Sequence, residues 1–275
     1  MKLKPSSKAY LKVSEINQKI LNIAFYRFVE LSDLVDLRNS LRELGQELNL
    51  KGTILLSSEG INGSLAGFEE NIRTFQQSIK KYPFGSNLNY KESYSNLVPY
   101  KRYLVKLKKE IIPAGDNDIK PAVLTGTHIS PSELKLWLDE NREFEFLDTR
   151  NEFEIEFGTF KKAKQLKLKH FREFSEKLKL LPEESKLKPM VMFCTGGIRC
   201  EKASVIAMKS GFKDVYQLDG GILKYFEECG EAHYEGECFV FDERISLDSH
   251  LQARSEKAEN LKDLVPNPRK VYKSE

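Results

Sequence analysis

No stretch of this 275-residue chain holds the roughly 18 consecutive apolar residues that a membrane-spanning helix needs. The amino terminus, MKLKPSSKAYLKVSE, carries lysines but no apolar segment behind them. It does not read as a secretory signal, and the expected compartment is the cytoplasm. Cysteine is scarce. Cys194, Cys200, Cys229 and Cys238 are too few for a disulfide scaffold at this length, so free thiols are expected, one of them with a chemical role. No GxGxxG fingerprint follows a strand, which argues against the common dinucleotide-binding loop. Histidine is limited to His128, His170, His233 and His250, and HYE at 233–235 is the only approach to a two-histidine, one-carboxylate iron site. A surface turn explains that tripeptide as well, so no metal or organic cofactor site is expected. Charge of one sign is also missing. The 44 Lys+Arg against 41 Asp+Glu leave +3, a balance that permits nucleic-acid binding without requiring it.

What is present is a globular composition, 40% hydrophobic and 31% charged, in a chain long enough for two cores. The first half reads as βαββαβ. ILNIAFYRFV (20–29) is rich in β-branched and aromatic residues and reads as a buried strand. Ser32 or Asp33 can cap the helix marked by Leu34, Leu37, Leu41, Leu44 and Leu48. GTILLSS and the Asn-Gly signal in EGINGSLAG supply two strands. Phe68, Ile72, Phe75 and Ile79 mark a second helix, and LNYKESYS a fourth strand. This order predicts a ferredoxin-like domain over 1–112. KRYLVKLKKE extends it with a two-faced strand: Tyr103, Val105 and Leu107 on one side, Arg102, Lys106 and Lys108 on the other. Those cations read either as protection of a sheet edge or as a ridge that contacts phosphates. IPAGDNDIKPAVLTGTH has no periodicity, and 113–127 is read as a linker.

From 128 to 230 strands alternate with helices. SPSE (130–133) is a capping box with proline at the first helical position. FEFLDTR, PMVMF and DVYQLDGG read as strands, and FREFSEKLKLL, CEKASVIAMKSG and ILKYFEE as helices. The alternation predicts a parallel sheet covered on both faces, with residues 231–275 as a carboxyl-terminal extension. In such sheets chemistry gathers at the carboxyl ends of strands, where Asp148 and Cys194 both fall.

FCTGGIRCEKAS (193–204) carries the strongest chemical signal. With a helix beginning near Cys200, the amides of 195–200 can converge on one point, and Gly196 and Gly197 permit the backbone angles this needs. Such a nest at a helix amino terminus stabilises an anion and lowers a thiol's pKa. Arg199 adds a permanent cation. Four residues separate Cys194 from Arg199, one fewer than in the cysteine phosphatases, so the ring suits a terminal sulfur or oxygen better than a phosphate.

DTRNEFEIEFGTF, FCTGGIRCEKAS and VYQLDGGILKY resemble the three signature segments of a rhodanese domain. With KGTILLSSEGINGSLAG, KLKKEI and EGECFVFDER, the chain from about Ile20 to Asp248 resembles the rhodanese-domain tRNA uridine hydroxylases. The resemblance implies 5-hydroxylation of the wobble uridine with molecular oxygen as co-substrate, and tRNA, at its anticodon region, as partner. It implies that Cys194 is the nucleophile able to hold a persulfide, that Asp148 and Arg150 flank it, and that Arg199 closes the loop; Cys200, at the expected helix start with its side chain projecting from the ring, reads as a helper or bystander. Two departures matter. Gly158-Thr159-Phe160 stands where many rhodaneses have Gly-His-Ile, and the tail lacks the paired cysteines of many relatives, so no tail zinc site is expected.

Alternatives remain: a persulfide-carrying sulfurtransferase, a phosphatase, or a binding module that merely keeps the rhodanese shape. KKAKQLKLKHFR (161–172) reads by default as a solvated loop, but Lys161, Lys162 and Lys164 near the mouth of the loop would hold tRNA phosphates. Phe25, Tyr26, Phe28, Phe84 and Tyr90 can stack on an unpaired base, although core packing accounts for most of them.

Overall fold

The alternation in ILNIAFYRF becomes β1 (Ile20–Phe28), whose Leu21, Ile23 and Phe25 are buried. The structure, a computed structural model, describes residues 19–115 and 118–253. The amino-terminal segment tested for a signal, and the tail from Arg254, lie outside the described residues. After β1 come α1 (Leu34–Glu47), β2 (Lys51–Ser57), β3 (Gly60–Phe68), α2 (Glu69–Ile79), β4 (Lys91–Ser95) and β5 (Tyr103–Leu107). The strand order is β4-β1-β3-β2-β5. The first four strands are antiparallel neighbours in the ferredoxin-like arrangement, and β5 is added to the outer edge, parallel to β2.

Three local expectations change. Asp33 occupies the cap position of α1 in a left-handed conformation, but its side chain accepts from the Ser32 hydroxyl, so neither residue caps the helix. Phe68 ends β3 and is half exposed, leaving Ile72, Phe75 and Ile79 as the buried stripe of α2. On β5 the two faces do not separate cleanly, because Leu104 and Leu107 both reach solvent at an edge that no further strand covers.

The second unit runs β6 (Thr127–Ile129), α3 (Pro131–Asp139), β7 (Glu145–Asp148), α4 (Glu152–Ile155), β8 (Gly158–Phe160), β9 (Lys164–Gln165), α5 (Phe174–Leu178), β10 (Met190–Phe193), α6 (Ile198–Lys209), β11 (Val215–Leu218) and α7 (Gly221–Cys229). Its five-stranded sheet, β6-β11-β10-β7-β9, is parallel throughout. One face packs Leu147, Met190 and Met192 against α5 and α6. The other packs Phe146, Val191 and Phe193 against α3 and α7. Ser130 caps α3 as expected, accepting from the Glu133 amide. FREFSEKLKLL forms only a single 3-10 turn and the short α5, and Leu180 is left exposed. α6 starts at Ile198, so Arg199 and Cys200 lie inside its first turn.

The two units are riveted together. Lys202 of α6 is buried and reaches Glu59, in the turn between β2 and β3, at 2.8 Å and Glu110, just past β5, at 2.7 Å. The segment read as a linker holds no helix or strand before Thr127 among its described residues, yet Ala114 and Ile119 are buried in the α5–α6 core. Beyond α7, β12 (Tyr234–Gly236) pairs with β8, and β13 (Cys238–Phe239) with β14 (Ser246–Leu247). FDER closes back on the first domain: Tyr100 donates to Asp242, and Arg244 donates to Ser93 at 2.8 Å.

Candidate active site

β10 ends at Phe193 and α6 begins at Ile198, which leaves Cys194 on a tight turn over the helix amino terminus. The Gly197 amide donates to the Cys194 sulfur at 3.1 Å. Gly197 has φ +98°, a left-handed angle that glycine adopts without a Cβ penalty. Burial pushes the Cys194 thiol up. The Cys200 thiol, the Arg199 guanidinium and the amides of Arg199 and Gly197 outweigh it and bring the pKa down to about 5. Burial and the bond to Cys194 push Cys200 the other way, and its remaining contact is Thr149 at 3.6 Å. Of the two sulfurs, Cys194 carries the charge.

Arg199 does not swing free. Glu154 of α4 holds it bidentately, with one bond at 2.8 Å, and both side chains are buried. Burial opposes the guanidinium's charge, and Glu154 followed by the sulfur more than offsets it. Glu154 also accepts from the Asn151 amide at 3.0 Å, so the turn that caps α4 aims the carboxylate. Sequence reasoning missed Glu154. The signal was Asn151 followed three residues later by a glutamate, in an acidic run where three glutamates looked alike.

Asp148 and Arg150 form a buried pair with contacts of 2.6–3.1 Å. Thr159 donates to Asp148 at 2.8 Å, and Arg150 donates to the Gly158 carbonyl. Thr159 thus braces Asp148 from β8, and the pair latches the β7 end to β8. Gly221 is a second residue the sequence did not single out. The amides of Ile222 and Leu223 donate to the carbonyls of Cys194 and Thr195, bringing the start of α7 against the loop. A Cβ on Gly221 would meet the Cys194 carbonyl at 2.5 Å and the Gly197 nitrogen at 2.8 Å, at a φ of +68°. Gly221→Ala is expected to lose about 1–3 kcal/mol to backbone strain alone. It should also raise the Cys194 pKa by displacing the amides, measurable by thermal melting and by thiolate absorbance. An unchanged thiolate midpoint would show that the α7 contact does not shape the loop.

The N-terminal domain roofs this loop. Tyr26 Oη lies 2.8 Å from where a Gly197 side chain would begin, and Lys91 Cδ 3.5 Å from the equivalent point at Gly196. Cys194 is fully buried beneath them. Beside the roof runs a cleft of about 730 Å³ between the domains, lined by Tyr26, Phe28, Tyr90, Lys91, His128 and Asp219 among others. Tyr26 donates to Glu201 at 3.0 Å; burial, then the Glu201 and Cys194 charges, hold its phenol well above the ordinary range. The hydrogen bond to the Asp219 carboxylate raises His128, and His128 and Lys224 hold Asp219 down against its burial. Of the aromatics considered for stacking, Tyr26, Phe28 and Tyr90 line this cleft, whereas Phe25 and Phe84 are core.

The two lysine clusters do not converge on the sulfur. Lys161 pairs with Glu235 at 3.5 Å, Lys162 donates to Asn141 and Lys164 pairs with Glu145 at 2.6 Å. Asn141 and Glu145 precede or begin β7, so these lysines sit at the amino end of the sheet, opposite the mouth. Arg102, Lys106 and Lys108 are exposed on the β5 edge with no side-chain partner among the described residues. HYE runs from a turn into β12: His233, at φ +60°, pairs with Asp139 while Glu235 faces Lys161. Among the described residues no three His, Cys, Asp or Glu side chains group as a metal site, and no helix is long and apolar enough to cross a membrane.

Comparison with known proteins follows the same division. The UPF0176 acylphosphatase-like domain family matches residues 20–111, and the rhodanese-like domain family residues 130–228. A tRNA uridine(34) hydroxylase of Variovorax paradoxus is 47% identical over 243 residues, covering 86% of this chain and 92% of its own. Proteins of the same name from Delftia acidovorans, at 45% identity, and Bordetella petrii, at 44%, are covered over 90% and 94% of their lengths.

Proposed function

This chain belongs to the tRNA uridine(34) hydroxylase family, and from that premise we propose that Cys194 is the residue on which its hydroxylation of the wobble uridine depends, with molecular oxygen as co-substrate and the anticodon region as the part of tRNA engaged. The observation that carries the reading is the composite site. A sulfur ionised near pH 5 lies beneath residues of the acylphosphatase-like domain, beside a cleft large enough for an extruded nucleotide. Simple sulfur transfer needs a ring of amides and an open mouth; it has no use for an aromatic cleft built by a second domain. Tyr26, Phe28 and Tyr90 offer faces on which an unstacked base can lie. The four thiols are free, in keeping with work in the cytoplasm. Mass spectrometry of tRNA nucleosides from a deletion strain, with and without the gene restored, tests the reading. Wobble uridine that stays hydroxylated in the deletion strain would refute it.

The β5 edge supplies the phosphate contacts in this reading, because Arg102, Lys106 and Lys108 are exposed and have no carboxylate of their own. Replacing all three by Ala is expected to weaken tRNA binding and to reduce the log–log salt slope by about two to three. Replacing Lys161, Lys162 and Lys164, whose partners are internal, should change the slope less. An unchanged slope in the β5 variant returns those cations to edge protection.

A further inference from the structure

Lys91 begins β4, opposite Ala24 of β1, on the edge of the N-terminal sheet that meets the Cys194 loop. Its stem rests against Gly196 and its ammonium lies 4.9 Å over the Tyr26 ring. It is half-buried, yet it makes no hydrogen bond or ion pair among the described residues. The other cations nearby are matched: Lys202 by Glu59 and Glu110, Lys224 by Asp219, Arg199 by Glu154. A desolvated ammonium without a carboxylate is unfavourable unless another anion faces it. The anion on this side is the sulfur.

We propose that Lys91 is the counter-cation of the Cys194 sulfur, supplied across the domain boundary, so that the active centre is complete only with the N-terminal domain docked. Lys91 is then a positioning residue that acts through the charge of the sulfur. Arg199 and Cys200 of α6 act on Cys194 from its own domain, and Tyr26 of β1 and Lys91 of β4 meet its charge from the other; Glu201 of α6, Asp219 ahead of α7 and Lys224 within α7 also face Lys91. Glu201 is engaged by Tyr26 and Gln217, and Asp219 by Lys224 and His128, and neither carboxylate makes a hydrogen bond or ion pair with Lys91. Burial holds the Lys91 pKa below its ordinary value, and the sulfur, followed by Asp219, offsets only part of that. Glycine at 197 fits this arrangement, since a side chain there would press on the Tyr26 hydroxyl, whereas a Cβ at 196 would only reach van der Waals contact with the Lys91 stem.

The test is a titration of thiolate ultraviolet absorbance, which does not require a reagent to reach the covered sulfur. Wild type, Lys91→Met and Lys91→Arg are each measured against the same protein carrying Cys194→Ser, so that the difference isolates one thiol. Lys91→Met is expected to raise the Cys194 midpoint by about one pH unit, the lower end of what a nearby opposite charge supplies. Lys91→Arg should restore it. Lys91→Gln carries the same test if methionine perturbs the cleft. A midpoint unmoved by Met and Gln overturns the proposal, as does an equal rise in Met and Arg, which would mark a packing role. The readout is independent of hydroxylation: a raised midpoint in a protein that never hydroxylates tRNA upholds Lys91 and sinks the hydroxylase reading, and the reverse pair of results does the opposite.

Discussion

Cys194→Ser is expected to yield a folded protein that binds tRNA and leaves the wobble uridine unmodified. The change removes little volume from a site that is already closed over by Tyr26 and Lys91. It removes the ionisable atom around which the Gly197 amide, Arg199 and Cys200 are arranged. A serine hydroxyl stays neutral there, so the loss in turnover should be at least about 10³-fold, on the scale seen when a nucleophile is deleted. Stability carries its own signature. A thiol held near 5 in the folded state, against about 8.5 in the unfolded chain, contributes stability that is complete above pH 8.5 and vanishes as pH falls through 5. The stability gap between wild type and Cys194→Ser should therefore widen as pH rises from 5 to 8.5. Cys200→Ala removes a donor to the sulfur, which moves the Cys194 midpoint, and with it the acid limb of the activity profile, to higher pH. Full hydroxylation by the Cys194→Ser protein would leave the loop as scaffolding.

The sequence carried the two folds and the reactive loop because those features are local. Alternation in ILNIAF, the Ser130 cap and the glycines at 196 and 197 each act within a few residues of where they are read. Reading failed where function depends on what distant segments bring together. Tyr26 and Lys91 lie more than 100 residues before the loop they cover, and nothing in their own neighbourhoods points to a sulfur. The Lys161–Arg172 cluster shows the opposite error. Lysine frequency is visible in sequence, but the carboxylates and amide that engage Lys161, Lys162 and Lys164 come from the turn after α3, from β7 and from β12, and only the fold reveals them. Asp148 and Arg150 were placed correctly at a strand end, but their hydrogen bonds make them a latch to β8.

Glu154 shows how strongly a residue absent from the motif controls it, and Glu154→Ala is the second large effect expected. The carboxylate is fully buried and is the bidentate partner of Arg199, itself almost wholly buried. Removing one partner leaves a guanidinium with no compensating charge in a dry site, a change that costs about 3–5 kcal/mol. For a chain of this size that lowers the apparent Tm by on the order of 10 °C. Catalysis should suffer beyond the loss of fold, because an unanchored Arg199 leaves the sulfur and the Cys194 pKa rises. Glu154→Gln keeps a shorter-range hydrogen bond without the charge and should fall between wild type and Glu154→Ala in both melting and thiolate titration. The decisive comparison is made at a temperature where all three proteins are folded. If Glu154→Ala titrates there with the wild-type midpoint, Arg199 is positioned by the helix alone, and the α4 turn is a stability element with no part in the chemistry.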